Sequence, residues 1–176
     1  MLFSMHIMDK QILSEVVEML KDLDWFFMSG MAMEVYTNGQ RKAGDLDIVV
    51  KDGDAQIFAQ KLGCEVKHRL IQKKNFVVDD YGFVTHYKGQ EIEVTTGYPK
   101  QKVLGSSFNK IFSQRIKKTY LDVDVFVEPI ESLIAHKRKL SRPKDLNDLK
   151  LLKELLHDPE KIKEYTKFYE TYKTTI

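Results

Sequence analysis

The spacing of apolar residues changes several times along the chain, and each change predicts an element. Over 10–23, Ile12, Leu13, Val16, Val17, Leu20 and Leu23 recur at steps of three and four, which predicts a helix capped by Asp9. Trp25–Phe26–Phe27–Met28 is a continuous apolar run of strand length ended by Ser29–Gly30, and helical spacing returns over 31–36. Residues 37–44 read as a polar loop. Leu46, Ile48, Val49 and Val50 predict a strand with Asp45 and Asp47 alternating into it, and Asp54 caps a short helix reaching Leu62. Four short runs follow, over 65–71, 75–79, 83–87 and 91–96. They are rich in Val, Ile, Tyr, Phe or Thr and punctuated by Gly63, Asp79–Asp80, Gly82, Gly89 and Gly97, so hairpins are expected. A polar connection spans 98–109, and 117–127 reads as one last strand closed by Pro129.

From Pro129 onward the period is helical. Pro129 suits a first helical position, with Ile130, Leu133, Ile134 and Lys137 behind it. A second helix is expected over 145–156. A third starts at Asp158–Pro159 and carries Ile162, Tyr165, Phe168, Tyr169 and Tyr172. The order predicts an α+β (mixed α/β) fold in which a mixed sheet has helices packed against it. Residues 1–128 would form the core and 129–176 a set of C-terminal helices packed on it.

Composition narrows the function classes. Apolar residues make up 43% and charged ones 31%, the balance of a globular domain. With 28 Lys and Arg against 26 Asp and Glu, the net charge of +2 gives no bulk attraction for nucleic acid. Cys64 is the sole cysteine, which excludes an intrachain disulfide, and the five histidines lack the spacing of a zinc site. The opening 1–10 lacks the features of a signal peptide, and no apolar run is long enough for a membrane span. A soluble, cytoplasmic protein with no membrane partner is expected.

The chemistry is carried by acids on strands. Residues i and i+2 of a strand share a face, so Asp45 and Asp47 set two carboxylates side by side. Two adjacent anions at the end of an apolar strand repel each other, and a divalent cation such as Mg²⁺ relieves that repulsion. Glu91–Ile92–Glu93–Val94 offers acids on a second strand, and three carboxylates meet if the two strands are neighbours. Separated from Asp45 by fourteen residues, Ser29–Gly30 forms a small-residue turn opening a helix, where backbone N–H groups can approach phosphate. A phosphate cradle beside an acidic cluster is the equipment of metal-assisted phosphoryl or nucleotidyl transfer.

Phe27–Met28–Ser29–Gly30–Met31–Ala32, the loop with Gly39 and Arg41, and Asp45–Leu46–Asp47 together resemble the nucleotidyltransferase superfamily related to DNA polymerase β. Ile92–Glu93–Val94 matches that family's third acid, which favours Glu93 over Glu91. The stretches 127–137 and 142–148 are similar to the C-terminal helices of small stand-alone members, among them aminoglycoside nucleotidyltransferases and abortive-infection-type toxins. The likeness spans 24–152. It implies two Mg²⁺ ions, or Mn²⁺ in their place, held by Asp45, Asp47 and Glu93. An acceptor hydroxyl would attack the α-phosphate of a nucleoside triphosphate and release pyrophosphate. Ser29 and Gly30 would grip the β and γ phosphates, Arg41 would pair with phosphate oxygens, and Lys137 and Lys144 would face the triphosphate. The acceptor would be a small molecule, a protein side chain or a tRNA end. One departure is visible: Ser29 stands where the family usually has its first Gly. The alternative is therefore a catalytically degenerate member that serves as a nucleotide- or partner-binding module.

Competing readings exist for other residues. Glu91 fits the wet face of a hairpin. A second acidic pair, Asp122 and Asp124, has no small-residue turn before it and reads as the polar face of the last strand. The basic run 136–139 with Arg142 and Lys144 fits a solvated helix face as well as a phosphate or RNA contact.

Overall fold

The computed structural model describes residues 8–51, 53–73, 76–96 and 109–170. Helix α1 (Lys10–Leu20) leads into β1 (Trp25–Phe27), α2 (Ser29–Tyr36), β2 (Leu46–Val50) and α3 (Asp54–Lys61). Three strands follow: β3 (Lys67–Lys73), β4 (Phe76–Tyr87) and β5 (Gln90–Thr96). Helix α4 is described over 109–114. A hairpin of β6 (Ile116–Tyr120) and β7 (Val123–Val127) precedes α5 (Ile130–Leu140), α6 (Pro143–Leu152) and α7 (Pro159–Glu170). The strands form one mixed sheet in the order β3-β4-β5-β2-β1-β7-β6. Two neighbours run parallel, β2 with β5 and β1 with β7, and the other pairings are antiparallel.

Strand alternation sorts the core onto two faces. Trp25, Phe27, Leu46, Ile48, Val50, Ile92 and Val94 belong to one cluster, with Leu13, Val16 and Leu20 of α1 and Phe58 of α3 packed into it. Phe26 and Val49 point the other way, into a second cluster with Ile111 and Phe112 of α4, Ala135 of α5, and Tyr165 and Tyr169 of α7. The expected helix cap is present, with Asp9 accepting from the Gln11 and Ile12 amides. No helix among the described residues is long and apolar enough to cross a membrane.

The fold class is the expected one, and three element boundaries differ. The run 75–79, described from Phe76 on, and the run 83–87 belong to the single strand β4, because continuous pairing with β3 on one side and β5 on the other carries the chain through Gly82. Residues 117–127 are two strands joined by Leu121 and Asp122, which adopt φ of 51° and 59°. Both loop residues lie at positive φ, as in a type I′ hairpin turn, yet neither is the Gly or Asn that advertises one. Helix α6 starts two residues early, at Pro143, because Asp145 accepts the Arg142 amide at 3.0 Å and caps it. It ends at Leu152, leaving Leu156 98% exposed. The expected connection over 98–108, Tyr172, and His6 lie outside the described residues.

Candidate active site

Parallel pairing of β2 with β5 brings the acids together. Their register sets Leu46 beside Ile92 and Asp47 beside Glu93, so the apolar pair fills the core while the acidic pair shares the opposite face. Asp45, immediately before β2, has the same parity as Asp47. Asp45, Asp47 and Glu93 are half-buried, and one carboxylate oxygen from each lies within 4.8 Å of the others. Among the described residues no other group of His, Cys, Asp and Glu gathers in this way. Three hard oxygen donors at the rim of a sheet fit a divalent cation such as Mg²⁺. Glu91 instead lies across from His86, 3.5 Å from its imidazole. In the second acidic pair, Asp122 meets Lys10 and Asp124 meets Lys117, each at 2.7 Å.

The Ser29–Gly30 turn borders this cluster. The Gly30 amide donates to Asp47 Oδ2 at 3.3 Å, and the Met28 amide donates to the Asp47 carbonyl at 3.0 Å. The helix N-terminus thereby fixes one candidate ligand in place. Ser29 adopts φ of 53°, a left-handed conformation that L-residues resist, and its amide donates to Glu128 Oε1 at 2.9 Å. A β-carbon on Gly30 would sit 3.6 Å from Asp47 Oδ2 and 3.8 Å from Arg41 Nη1. The missing side chain therefore leaves a small corner between an acid and a guanidinium.

The loop between α2 and β2 is tied down by a residue the pattern of charges did not reveal. Glu34 on α2 is wholly buried and accepts from the Ala43 amide and the Tyr120 hydroxyl, each at 2.6 Å. The Arg41 amide donates to Thr37 Oγ1, and the Arg41 side chain meets Asp148 at 3.2 Å and the Lys42 carbonyl. Asp45 and Arg41 thus leave a braced segment rather than a slack one.

The basic residues of the C-terminal helices take up different positions. Lys137 is 1% exposed and sits in ion pairs with Asp148 at 2.6 Å and Asp145 at 3.4 Å. Lys144 is exposed on the first turn of α6. Arg142 binds Asp145 through Nε at 2.6 Å and Nη2 at 3.1 Å. Burial opposes ionisation of Asp145, but Arg142 and Lys137 outweigh it and hold the carboxyl below its usual range. Arg41, Asp148, Lys137, Asp145 and Arg142 form one continuous chain of charges behind the turn. Arg69 of β3, which carries no sequence signal of its own, reaches Glu93 at 3.5 Å and the Val94 carbonyl at 2.9 Å.

Glu128 is a third residue missed from the sequence, after Glu34 and Arg69. It is 1% exposed, and besides the Ser29 amide it accepts from Ser132 Oγ at 2.8 Å. Burial pushes its carboxyl up to about 7, against the pull of those two donors and of Lys137. The available signal was an acid inside the apolar stretch Val127–Glu128–Pro129–Ile130, a place where a carboxylate needs partners.

The fold has counterparts among solved structures. An antigenic nucleotidyltransferase-like protein from Paracoccidioides brasiliensis superposes with a TM-score of 0.52 at 14% identity, over 92% of this chain and 87% of its own. The antibiotic-resistance factor ANT(2'')-Ia, in complex with adenylyl-2''-tobramycin, gives 0.56 at 12% identity, over 93% and 98%. Its solution structure gives 0.55 at 11% identity, over 92% and 91%. No protein-family model and no curated protein sequence matches the chain. The fold is a nucleotidyltransferase-like α+β fold.

Proposed function

We propose that the protein is a metal-dependent nucleotidyltransferase, which moves NMP from a nucleoside triphosphate to a hydroxyl and releases pyrophosphate. The observation that carries this reading is the meeting of Asp45, Asp47 and Glu93 beside the Ser29–Gly30 turn. These three residues would hold the divalent ions, Mg²⁺ or Mn²⁺. When bound, such ions neutralise polyphosphate charge and lower the pKa of a hydroxyl. The protein's own share of the work is positioning. Gly30 leaves the corner that a phosphate oxygen would enter, and Arg41 flanks it with a guanidinium suited to that anion. Arg69 orients Glu93 from β3, so that acid is steadied before any ligand arrives. The buried pairs of Lys137 with Asp145 and Asp148 anchor α5 to α6 behind Arg41 and Arg142.

The acceptor is a hydroxyl, on a small molecule, a protein side chain or a tRNA end. The adenylylated aminoglycoside bound to ANT(2'')-Ia supports the small-molecule class. The test is pyrophosphate release from each NTP with Mg²⁺, using a panel of hydroxyl acceptors. Asp47→Asn is expected to lower the rate by about a thousandfold or more, on the scale of a lost charge-stabilising group. One observation favours a second reading, the nucleotide-binding module without catalysis: Ser29 occupies a left-handed position that its family's glycine would take freely. That reading predicts Mg²⁺-dependent thermal stabilisation by NTP with no pyrophosphate from any acceptor.

A further inference from the structure

We propose that Glu128 is a positioning residue for the polyphosphate turn, gripping the Ser29 amide from inside the core and so setting how strongly the turn holds an anion. The proposal rests on the nucleotidyltransferase reading and adds a residue to it. Glu128 opens the link from β7 to α5, with its amide bonded to the Phe27 carbonyl at 3.0 Å. One carboxylate oxygen takes the Ser29 amide and the other takes the Ser132 hydroxyl, whose oxygen lies 3.0 Å from the Tyr169 hydroxyl. The Glu128 carbonyl accepts from Tyr36 of α2 at 2.8 Å. A single buried side chain therefore joins the turn to α5 and, through Ser132, to α7.

Two consequences follow from this geometry. Ser29 is held at a strained φ, and such a conformation persists only where its surroundings over-determine it. The bond to Glu128 is one of those restraints, so its loss should loosen the turn. The Ser29 amide is also a donor that an entering phosphate would seek, and it already faces a carboxylate. The titratable groups around Glu128 are Lys137 of α5, Tyr36 of α2, and Tyr165 and Tyr169 of α7. Lys137 is itself shared with Asp145 and Asp148, so it does not serve Glu128 alone. An anion at the turn favours the neutral carboxyl over the charged one. By linkage, polyphosphate affinity is greatest where Glu128 is protonated and falls as pH rises past its midpoint.

The test uses the whole chain as wild type, Glu128→Gln and Glu128→Ala. Glu128→Gln keeps an acceptor for Ser29 without the charge, whereas Glu128→Ala removes the grip. The Ser29 amide resonance, followed by NMR without ligand, should titrate near neutral pH in the wild type and stay flat in Glu128→Gln. Calorimetric titration with Mg·ATP should then show wild-type affinity falling about tenfold from about pH 6 to about pH 8, the effect of one linked pKa unit. Glu128→Gln should bind with little change over that range, and Glu128→Ala should bind more weakly throughout. A Ser29 titration that survives in Glu128→Gln, or the same pH dependence of ATP binding in both proteins, would overturn the proposal and leave the transferase reading standing. Absence of NTP binding by the wild type at every pH, with Ser29 still titrating through Glu128, would instead overturn the transferase reading and the role built on it.

Discussion

A β-carbon at Gly30 would make only ordinary contacts, at 3.6 Å or beyond, so the glycine is not demanded by the protein's own packing. Gly30→Ala is expected to match or exceed wild-type stability in thermal denaturation, because alanine favours a helix by up to about 1 kcal/mol. The same methyl fills the corner beside Asp47 and Arg41, so Mg·ATP affinity by calorimetry should drop about tenfold, or about 1.4 kcal/mol. Ser29 presents the reverse case. Its φ of 53° costs an L-residue about 1 kcal/mol, so Ser29→Gly should raise the melting temperature by roughly 2–4 °C. Glu128 makes stability depend on pH. Its folded pKa of about 7 lies above the 4.5 of a free glutamate, so the folded state binds its proton more tightly. That contribution is complete below about pH 4.5 and is lost as pH rises through about 7, a difference of roughly 3 kcal/mol. Urea unfolding at pH 5 and pH 8 should show the loss in the wild type and not in Glu128→Gln.

The β6–β7 hairpin shows where an element escapes its sequence. Leu121 and Asp122 make a two-residue turn at positive φ without glycine or asparagine, so the chain reads as one strand from Lys117 to Val127. Asp122→Gly should therefore stabilise the protein by about 1 kcal/mol in chemical denaturation. That variant keeps the half-buried Leu121 packed on the core and loses the exposed Lys10–Asp122 pair, which contributes little. The carboxylates were legible for the opposite reason. Alternation places Asp45 with Asp47, and Glu93 between Ile92 and Val94, whichever way the strands pair. What alternation does not specify is that β5 returns to lie parallel beside β2, a contact between distant segments that no local pattern encodes. The buried charges were hidden by their neighbours. Lys137 stands in a run with His136, Arg138 and Lys139, and only the helical period, with Leu133 and Leu140 on the same side, turns it inward. Its acids sit on the next helix, at Asp145 and Asp148.

Across the whole molecule, the C-terminal helices close the face of the sheet that also carries the acids. Tyr165 and Tyr169 of α7 cover Phe26 and Val49, and Tyr169 reaches the Ser132–Glu128 bond behind the turn. Tyr165→Ala should cost about 3–5 kcal/mol in urea unfolding, the range for deleting a buried aromatic ring. Because α7 and the turn share Glu128 through Ser132, Tyr169→Phe should shift the Ser29 amide resonance without unfolding the chain. The acids, the turn and the cations behind them come from both ends of the sequence, so the site exists only once the sheet and the tail have assembled. The most direct measurement is a crystal structure with Mn²⁺ and a non-hydrolysable NTP, read by anomalous scattering. A manganese peak among Asp45, Asp47 and Glu93, with the polyphosphate lying along Ser29–Gly30, is the predicted result. Manganese and nucleotide bound elsewhere, with those three carboxylates bare, would contradict it.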